Sequence, residues 1–191
     1  MMNLARPLAL SPADRDAALS QVSGLIRSIP DFPAPGILFR DITPVLHDAA
    51  ALDAAVRLHI DRIADLAGQV DRIVGIESRG FLFGMAVAHA LGAGFVPVRK
   101  PGKLPAATVH QTYALEYGQD RLHMHADAVS PGDRVLVVDD LLATGGTAGA
   151  AAQLVEGLGG RVVACLFLIE LGALGGRARL GDRRVESVII Y

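Results

Sequence analysis

Residues 135–147, which read VLVVDDLLATGGT, decide the fold and indicate a binding site. Four apolar residues predict a buried strand, and two acids, a short turn and a helix follow them. The glycines let the backbone approach a ligand closely, and the first N–H groups of a helix have no internal partner. Because the helix dipole also favours an anion here, the stretch predicts a site for one phosphate monoester. The predicted contacts are Ala143, Thr144, Gly145, Gly146 and Thr147.

The order of residues separates this site from two other phosphate-binding loops. No Gly-Lys-Ser/Thr follows at the spacing of a Walker loop, and the stretch is not a dinucleotide fingerprint. Its distinguishing feature is the acid pair Asp139 and Asp140 directly before the turn. A carboxylate beside a phosphate is unfavourable unless it serves another group, and an ionised carboxylate accepts two hydrogen bonds from a cis-diol. The stretch therefore indicates a ribose 5-phosphate site, with an ordinary strand end and Asp-capped turn as the alternative.

The chain around this stretch alternates short Val, Ile and Leu strands with helices. This alternation predicts an α/β fold with a mostly parallel central sheet flanked by helices on both faces. Residues 100–131 interrupt the rhythm and predict a long hairpin excursion, typical of a loop that moves over a site. Helices are predicted over 11–29, 48–66, 80–91 and 147–158, and strands over 72–76, 94–98, 134–138, 162–169 and 185–191, with 37–41 a short strand or extended loop.

Composition bounds the class of protein. The 191 residues fit a single domain, 1–191, with a hydrophobic core. The net charge of -2 gives no general attraction to nucleic acid, so no such partner is expected. Apolar stretches are too short to span a membrane and residues 1–10 lack a signal-peptide pattern, so we expect a cytoplasmic protein without a membrane partner. The single cysteine, Cys165, is expected to be a small buried side chain.

Two further segments suit anions. Residues 75–81, GIESRGF, join a predicted strand to a helix, and offer the Ser78 hydroxyl, the Arg79 guanidinium and helix N–H groups. The loop after the next strand has a Pro/Gly-rich shape and carries three cations within five residues, Arg99, Lys100 and Lys103. These charges suit a polyanion such as pyrophosphate. The alternatives are a capped helix start with a surface arginine, and a solvated basic loop.

Residues 135–147 resemble the phosphoribosyl-pyrophosphate motif of type I phosphoribosyltransferases, and the variant VDDLLATGGT is similar to that of the members that act on adenine. Further segments resemble this family from Ile29 to Leu180. The resemblance implies the type I phosphoribosyltransferase fold, with a small N-terminal hood in about residues 1–45 and a flexible catalytic loop in about residues 100–131. The implied reaction, a step of purine salvage, joins adenine to phosphoribosyl pyrophosphate and releases AMP and pyrophosphate. A homodimer is also implied.

The resemblance further implies the roles of individual residues. It assigns the handling of a proton on the adenine ring to Glu116 and closure over the substrates to Tyr117, with Arg79 as a third catalytic residue. Adenine contacts fall on Leu38, Phe39, Arg40 and Leu171. Phosphoribosyl pyrophosphate contacts fall on Glu77, Ser78, Arg79, Arg99, Lys100, Lys103, Asp139, Asp140, Ala143, Thr144, Gly145, Gly146 and Thr147.

Two other expectations concern the peptide at 77–78 and the metal. In the family this peptide bond is often cis, and Glu77 stands where many relatives carry Asp. Magnesium is the implied cofactor, Mg²⁺, because it prefers oxygen ligands and is usually held mainly through substrate phosphates.

Other functions stay open at this stage. One is a phosphoribosyltransferase for another purine, such as xanthine or hypoxanthine, because the sequence does not show which backbone group faces the base. Another is a purine-sensing regulatory protein, but only about thirty residues precede the proline-rich segment, too few for a winged helix. A degenerate scaffold fits poorly because each charged site residue is present.

Overall fold

The structure, a computed structural model, describes residues 9–114 and 118–191. The chain divides into two compact units, Met1–Ala64 and Asp65–Tyr191. Each unit is described by itself, and the single domain expected for residues 1–191 stays a prediction.

The first unit contains three helices and a two-stranded hairpin among its described residues. Ser11 caps the first helix by accepting a hydrogen bond from the Asp14 N–H, and Asp48 caps the third by accepting one from the Ala51 N–H. The strands pair antiparallel, with Arg27 opposite Asp41. In chain order the elements are α1 (Pro12–Leu25), β1 (Arg27–Pro30), β2 (Leu38–Asp41), α2 (Thr43–His47) and α3 (Ala49–Arg62).

The helix predicted over 11–29 is wrong at its carboxyl end. It ends at Leu25, and residues 27–30 form β1 instead. A residue before proline is disfavoured in a helix, and here Ile29 precedes Pro30. Pairing with β2 then satisfies the backbone of this segment, and the Arg27 Nε donates to Asp41 Oδ2 at 3.0 Å. The helix predicted over 48–66 likewise ends early, and a 3₁₀ turn covers Ala64–Leu66.

The second unit is built on a parallel sheet, as predicted. The sheet contains β3 (Arg72–Ile76), β4 (Gly94–Val98), β7 (Arg134–Leu142), β8 (Arg161–Glu170) and β9 (Val185–Ile190) in the spatial order β4-β3-β7-β8-β9. Each neighbouring pair is parallel. Side chains such as Val74, Val137 and Phe167 are fully buried, which explains the near-continuous apolar runs of these strands. The buried Cys165 lies among them, and burial raises the pKa of its thiol to about 12.

The remaining elements of this unit connect the strands. Helix α4 (Gly80–Leu91) joins β3 to β4, and α5 (Gly146–Gly157) joins β7 to β8. Strands β5 (Thr108–Ala114) and β6 (Gln119–His125) pair antiparallel and confirm a hairpin inside residues 100–131. A 3₁₀ turn at Gly172–Leu174 and the short α6 (Gly176–Arg179) precede β9, and neither was predicted. No described helix is both long and apolar enough to cross a bilayer.

A buried histidine in the first unit gives this fold a predicted sensitivity to acid. His59 on α3 is fully buried, its Nδ1 lies 2.7 Å from the Ala55 carbonyl oxygen, and burial lowers its pKa to about 4. Between pH 6.5 and about 4 the unfolded chain binds a proton that the folded chain does not. The free energy of unfolding is therefore expected to fall by up to about 3 kcal/mol as the pH drops through this window.

Urea unfolding at several pH values measures this effect. His59→Asn cannot titrate and should flatten the pH dependence between pH 6.5 and 4, although its stability at neutral pH will be lower. The exposed His47 in the same unit provides the control, since His47→Asn should keep the slope of the parent chain. An unchanged slope in His59→Asn would contradict the assignment.

Candidate active site

The topology of the sheet places two loops together at its carboxyl edge. The connection after β3 leads outward to β4, whereas the chain after β7 proceeds to β8 and β9 on the other side. Neighbouring strands β3 and β7 therefore diverge at a topological switch point, which is where open α/β sheets bind ligands. The loops that follow these two strands are residues 77–79 and 143–145.

A cavity of about 490 Å³ lies at this switch point. It is lined by residues 77–79, Lys100 and residues 139–148. The structure thus brings together Glu77, Ser78, Arg79 and Lys100 with the acid pair and the whole predicted phosphate loop, although these segments are far apart in sequence. Arg99 and Lys103 do not line the cavity.

The phosphate loop ends in a helix whose start faces this cavity. Helix α5 begins at Gly146, and Gly145 before it adopts the left-handed conformation with φ of 81°. The first N–H groups of α5 have no acceptor within the helix, so they are available to an anion. The hydroxyl residues Thr144 and Thr147 border the same space. This local geometry suits a cradle for the single phosphate that the sequence predicts here.

The acid pair lies within strand β7, because this strand continues to Leu142 beyond its predicted end at 138. Asp140 is buried, and the Arg79 Nε lies 2.8 Å from its Oδ2. Burial raises the pKa of Asp139 well above its ordinary value, and the charge of Asp140 raises it further. Burial also raises the pKa of Asp140, but the Arg79 guanidinium opposes the rise. The pair therefore carries its negative charge mainly on Asp140.

Glu77 holds the basic loop. Its carboxylate accepts hydrogen bonds from the Arg99 Nε at 3.3 Å, from the Lys100 N–H at 3.0 Å and from the Lys103 Nζ. Burial tends to raise the pKa of Glu77, but these donors hold it below its ordinary value. The peptide bond between Glu77 and Ser78 is cis, as the family resemblance implied. Two of the three predicted cations are thus engaged by an acid that itself lines the cavity.

The third cation, Lys100, is held by the hairpin. Its Nζ donates to the Tyr113 hydroxyl at 2.8 Å and to the Asp120 carboxylate, and the Tyr113 hydroxyl donates to Asp120 at 3.1 Å. The Lys100 hydrogen bond is the main cause that lowers the pKa of Asp120. Sequence reasoning missed Asp120 and Tyr113. They face each other across β5 and β6, so the exact register of the hairpin would have indicated them.

The residues expected to contact adenine lie on different units. Leu38 is 48% exposed at the start of β2, and the ring of Phe39 packs edge-on against Phe32 with centroids 5.1 Å apart. The Arg40 Nη1 donates to the Ser28 hydroxyl. In the second unit the Leu171 N–H donates to the Leu142 carbonyl at 2.9 Å. Glu116 and Tyr117 lie outside the described residues, so their catalytic roles stay predictions.

A larger cavity, of about 660 Å³, lies at the opposite, amino end of the sheet. Its lining includes Arg161 at the start of β8, and Arg183 and Arg184 just before β9. It contains none of the predicted site residues. Arg183 is bound to Glu156 there, and Arg184 to Asp65. Size alone does not identify the active site, because the smaller cavity holds the phosphate loop, the acid pair and the cis peptide.

Comparison with known proteins places these features in a family. Residues 43–190 match the family model "Phosphoribosyl transferase domain". The chain is 58% identical over 166 residues to an adenine phosphoribosyltransferase from Desulfitobacterium hafniense. The aligned region covers 87% of this chain and 95% of that protein.

Solved structures agree. The crystal structure of adenine phosphoribosyltransferase from Thermoanaerobacter pseudethanolicus superposes with a TM-score of 0.87 at 52% identity, covering 91% of this chain and 99% of that one. The crystal structure of the Saccharomyces cerevisiae enzyme, complexed with an imino-altritol bisphosphate and adenine, superposes with a TM-score of 0.87 at 38% identity. This match covers 91% of this chain and 99% of that one. These matches confirm the fold expected from the sequence. The chain belongs to the adenine phosphoribosyltransferases of the phosphoribosyltransferase family.

Proposed function

We propose that this chain transfers the 5-phosphoribosyl group of phosphoribosyl pyrophosphate to adenine, forming AMP and pyrophosphate. One observation carries the proposal: the phosphate loop, the acid pair and the Glu77-Ser78-Arg79 loop line a single cavity. A ribose 5-phosphate that carries pyrophosphate needs these three kinds of group at once. The named relatives, and the solved relative that holds adenine with a bisphosphate, support the same reaction.

The proposed chemistry divides charge between two ends of the cavity. The bond between ribose C1′ and pyrophosphate breaks ahead of full attack by adenine N9, so positive charge develops on the sugar and negative charge on the leaving group. Asp140 accepts hydrogen bonds from the ribose diol and favours the positive charge. Arg79 and Lys100 favour the negative charge on pyrophosphate. Arg99 and Lys103 add positive charge from the loop that Glu77 holds.

The residues at the cavity fit a magnesium ion that is held mainly through the substrate. Carboxylate and hydroxyl oxygens line the cavity, and Mg²⁺ prefers such ligands. The described residues contain no group of three or more His, Cys, Asp or Glu side chains placed to hold a metal ion. We therefore propose that the ion would be held mainly through the oxygens of phosphoribosyl pyrophosphate, with few contacts to the protein. When bound, it would neutralise charge on the departing pyrophosphate.

Incubation with adenine, phosphoribosyl pyrophosphate and Mg²⁺ tests the reaction, with AMP measured by chromatography. Parallel reactions with hypoxanthine, guanine and xanthine test the base. AMP formation at the highest kcat/KM among the four purines is expected. If another purine is turned over faster, that purine is the substrate in place of adenine. If none of the four purines gives a nucleotide, the proposed transfer is contradicted.

Five finer assignments belong to the same proposal. Leu38, Phe39, Arg40 and Leu171 contact adenine, Glu116 handles the proton of the base, and Tyr117 closes over the substrates. The protein acts in the cytoplasm. It forms a homodimer, for which the exposed apolar side chains Leu82 and Met85 on α4 are suitable contacts. Light scattering should give twice the mass of one chain, and Met85→Glu should shift the protein toward the monomer.

Asp120→Asn is expected to strengthen pyrophosphate binding by about threefold to tenfold, the scale of a partly exposed ion pair. The physical reason is competition, because Asp120 and pyrophosphate both require the ammonium of Lys100. Removing the carboxylate charge leaves that ammonium to the ligand. Isothermal titration with magnesium pyrophosphate measures the change.

The exposed Asp127 supplies the control for this prediction. Asp127→Asn removes the same kind of charge from a position just after β6, the strand that contains Asp120, without touching Lys100, and should leave the affinity unchanged. Weaker pyrophosphate binding in Asp120→Asn would mean instead that Asp120 holds Lys100 in its binding position.

A further inference from the structure

A glycine that does not line the cavity packs against the phosphate loop from behind. Gly176, at the start of α6, is buried, and a Cβ atom there would lie 2.3 Å from the Ala143 carbonyl oxygen. A Cβ on Gly145 would lie 2.4 Å from the Gly176 carbonyl oxygen. Backbone therefore packs on backbone at both points. We call residues 171–180 the backing segment, since they lie behind the loop that holds the phosphate.

A buried carboxylate at the end of the central sheet holds the backing segment through an ion pair. The Arg177 Nε and Nη2 donate to the two carboxylate oxygens of Glu170 at 2.7 and 2.8 Å, and its Nη1 donates to the Val185 carbonyl at 2.8 Å. Glu170 is the last residue of β8, it is 5% exposed, and it also accepts a hydrogen bond from the Ser187 hydroxyl at 2.6 Å. A bidentate arginine–carboxylate pair restricts orientation as well as distance.

These contacts form a continuous path from the sheet to the backbone of the phosphate loop. Glu170 at the end of β8 holds Arg177, the neighbouring Gly176 contacts Ala143 and Gly145, and those residues begin the cradle. The Leu171 N–H adds a hydrogen bond to the Leu142 carbonyl, directly before the loop. From this geometry we infer that Arg177, held by Glu170, is a positioning residue for the 5-phosphate cradle. The inference rests on the proposed function, because it assigns the cradle to the phosphate of the ribose.

The physical reason is that the cradle binds through backbone N–H groups, whose directions are set by the position and conformation of the loop backbone. No side-chain rotation can compensate if the loop moves, and misplacement of about 1 Å can cost about a hundredfold in rate.

Arg177→Gln tests the role, with ribose 5-phosphate and magnesium pyrophosphate as separate probes in titration calorimetry. The affinity for ribose 5-phosphate is expected to fall about tenfold or more, the scale of a lost supporting contact, while that for pyrophosphate changes less than about twofold. Gly176→Ala should give the same selective loss without removing the ion pair, because its methyl group would press on the Ala143 carbonyl.

Arg134→Gln provides the matched control. Arg134 makes the same set of bonds, two to the carboxylate of Asp71 and one to the Gly68 carbonyl, but at the amino end of the sheet and away from the backing segment. Thermal unfolding of this variant shows what losing such a pair costs in stability alone. Equal loss of affinity for both probes in Arg177→Gln, or a loss of affinity no larger than in Arg134→Gln, would overturn the inference. If the parent chain itself binds no ribose 5-phosphate, the proposed function fails, and this inference with it.

Discussion

Asp140→Asn is expected to lower turnover of adenine by about a hundredfold or more, which is the scale of one lost electrostatic contact in a transition state. The amide keeps the size of the side chain but removes the negative charge that the acid pair carries mainly on Asp140. It also removes the charged partner of Arg79, whose Nε lies 2.8 Å away. Steady-state kinetics with saturating substrates measures the loss in kcat.

Asp139→Asn provides the matched comparison at the neighbouring position. Because the pKa of Asp139 is raised further than that of Asp140, its side chain is more often neutral, and an amide replaces it with less change of charge. We therefore expect a much smaller loss of turnover. Near-normal kcat in Asp140→Asn with an intact fold would remove the role proposed for it, and an equal loss in both variants would contradict the division of charge.

Gly145→Ala is expected to raise the KM for phosphoribosyl pyrophosphate by about a hundredfold, as a misplaced binding loop would. The added methyl group would lie 2.4 Å from the Gly176 carbonyl oxygen, and that oxygen belongs to backbone that packs tightly. The loop must therefore shift, and its N–H groups turn away from the phosphate. The positive φ of 81° adds strain, because a side chain disfavours this region.

Gly92→Ala separates the strain from the collision. Gly92 has a φ of 67° and ends α4 on the surface, with no atom within 4 Å of the position of an added Cβ. This variant should lose about 1 kcal/mol of stability and keep its KM for phosphoribosyl pyrophosphate. If Gly145→Ala behaved in the same way, the loop would tolerate the methyl group and the cradle would not depend on the contact with Gly176.

The sequence predicted those parts of the site whose signals are local. The bounds of β3, α4 and β4 agree with the structure, because apolar runs and glycine-marked turns define them within a few residues. The phosphate loop and the Glu77-Ser78-Arg79 loop are each continuous in sequence. Their meeting in one cavity followed from the parallel topology that the alternating pattern predicted.

The parts that sequence reasoning missed depend on contacts between distant residues. Asp120 reaches Lys100 only because of the register between β5 and β6, and Gly176 reaches Ala143 across 33 positions. Residues 27–29 continue the apolar pattern of α1 and so predict helix, but they form strand because β2 supplies their hydrogen bonds from a distant part of the chain. Arg99 and Lys103 were expected at the cavity, yet the partly buried Glu77 attracts both side chains.

The pairing of charges around the cavity affects how a substrate arrives. In the part of the chain that the structure describes, Arg79 contacts Asp140, Lys100 contacts Asp120, and Glu77 holds Arg99 and Lys103. Opposite charges in contact produce fields that largely cancel beyond a few ångströms, so the site exerts little long-range pull on an anion. Encounter then depends on ordinary diffusion, and selection between anions occurs only at contact, where a ligand must displace carboxylates from their partners. Such a site favours ligands that carry several negative charges at once over the singly charged anions that surround them.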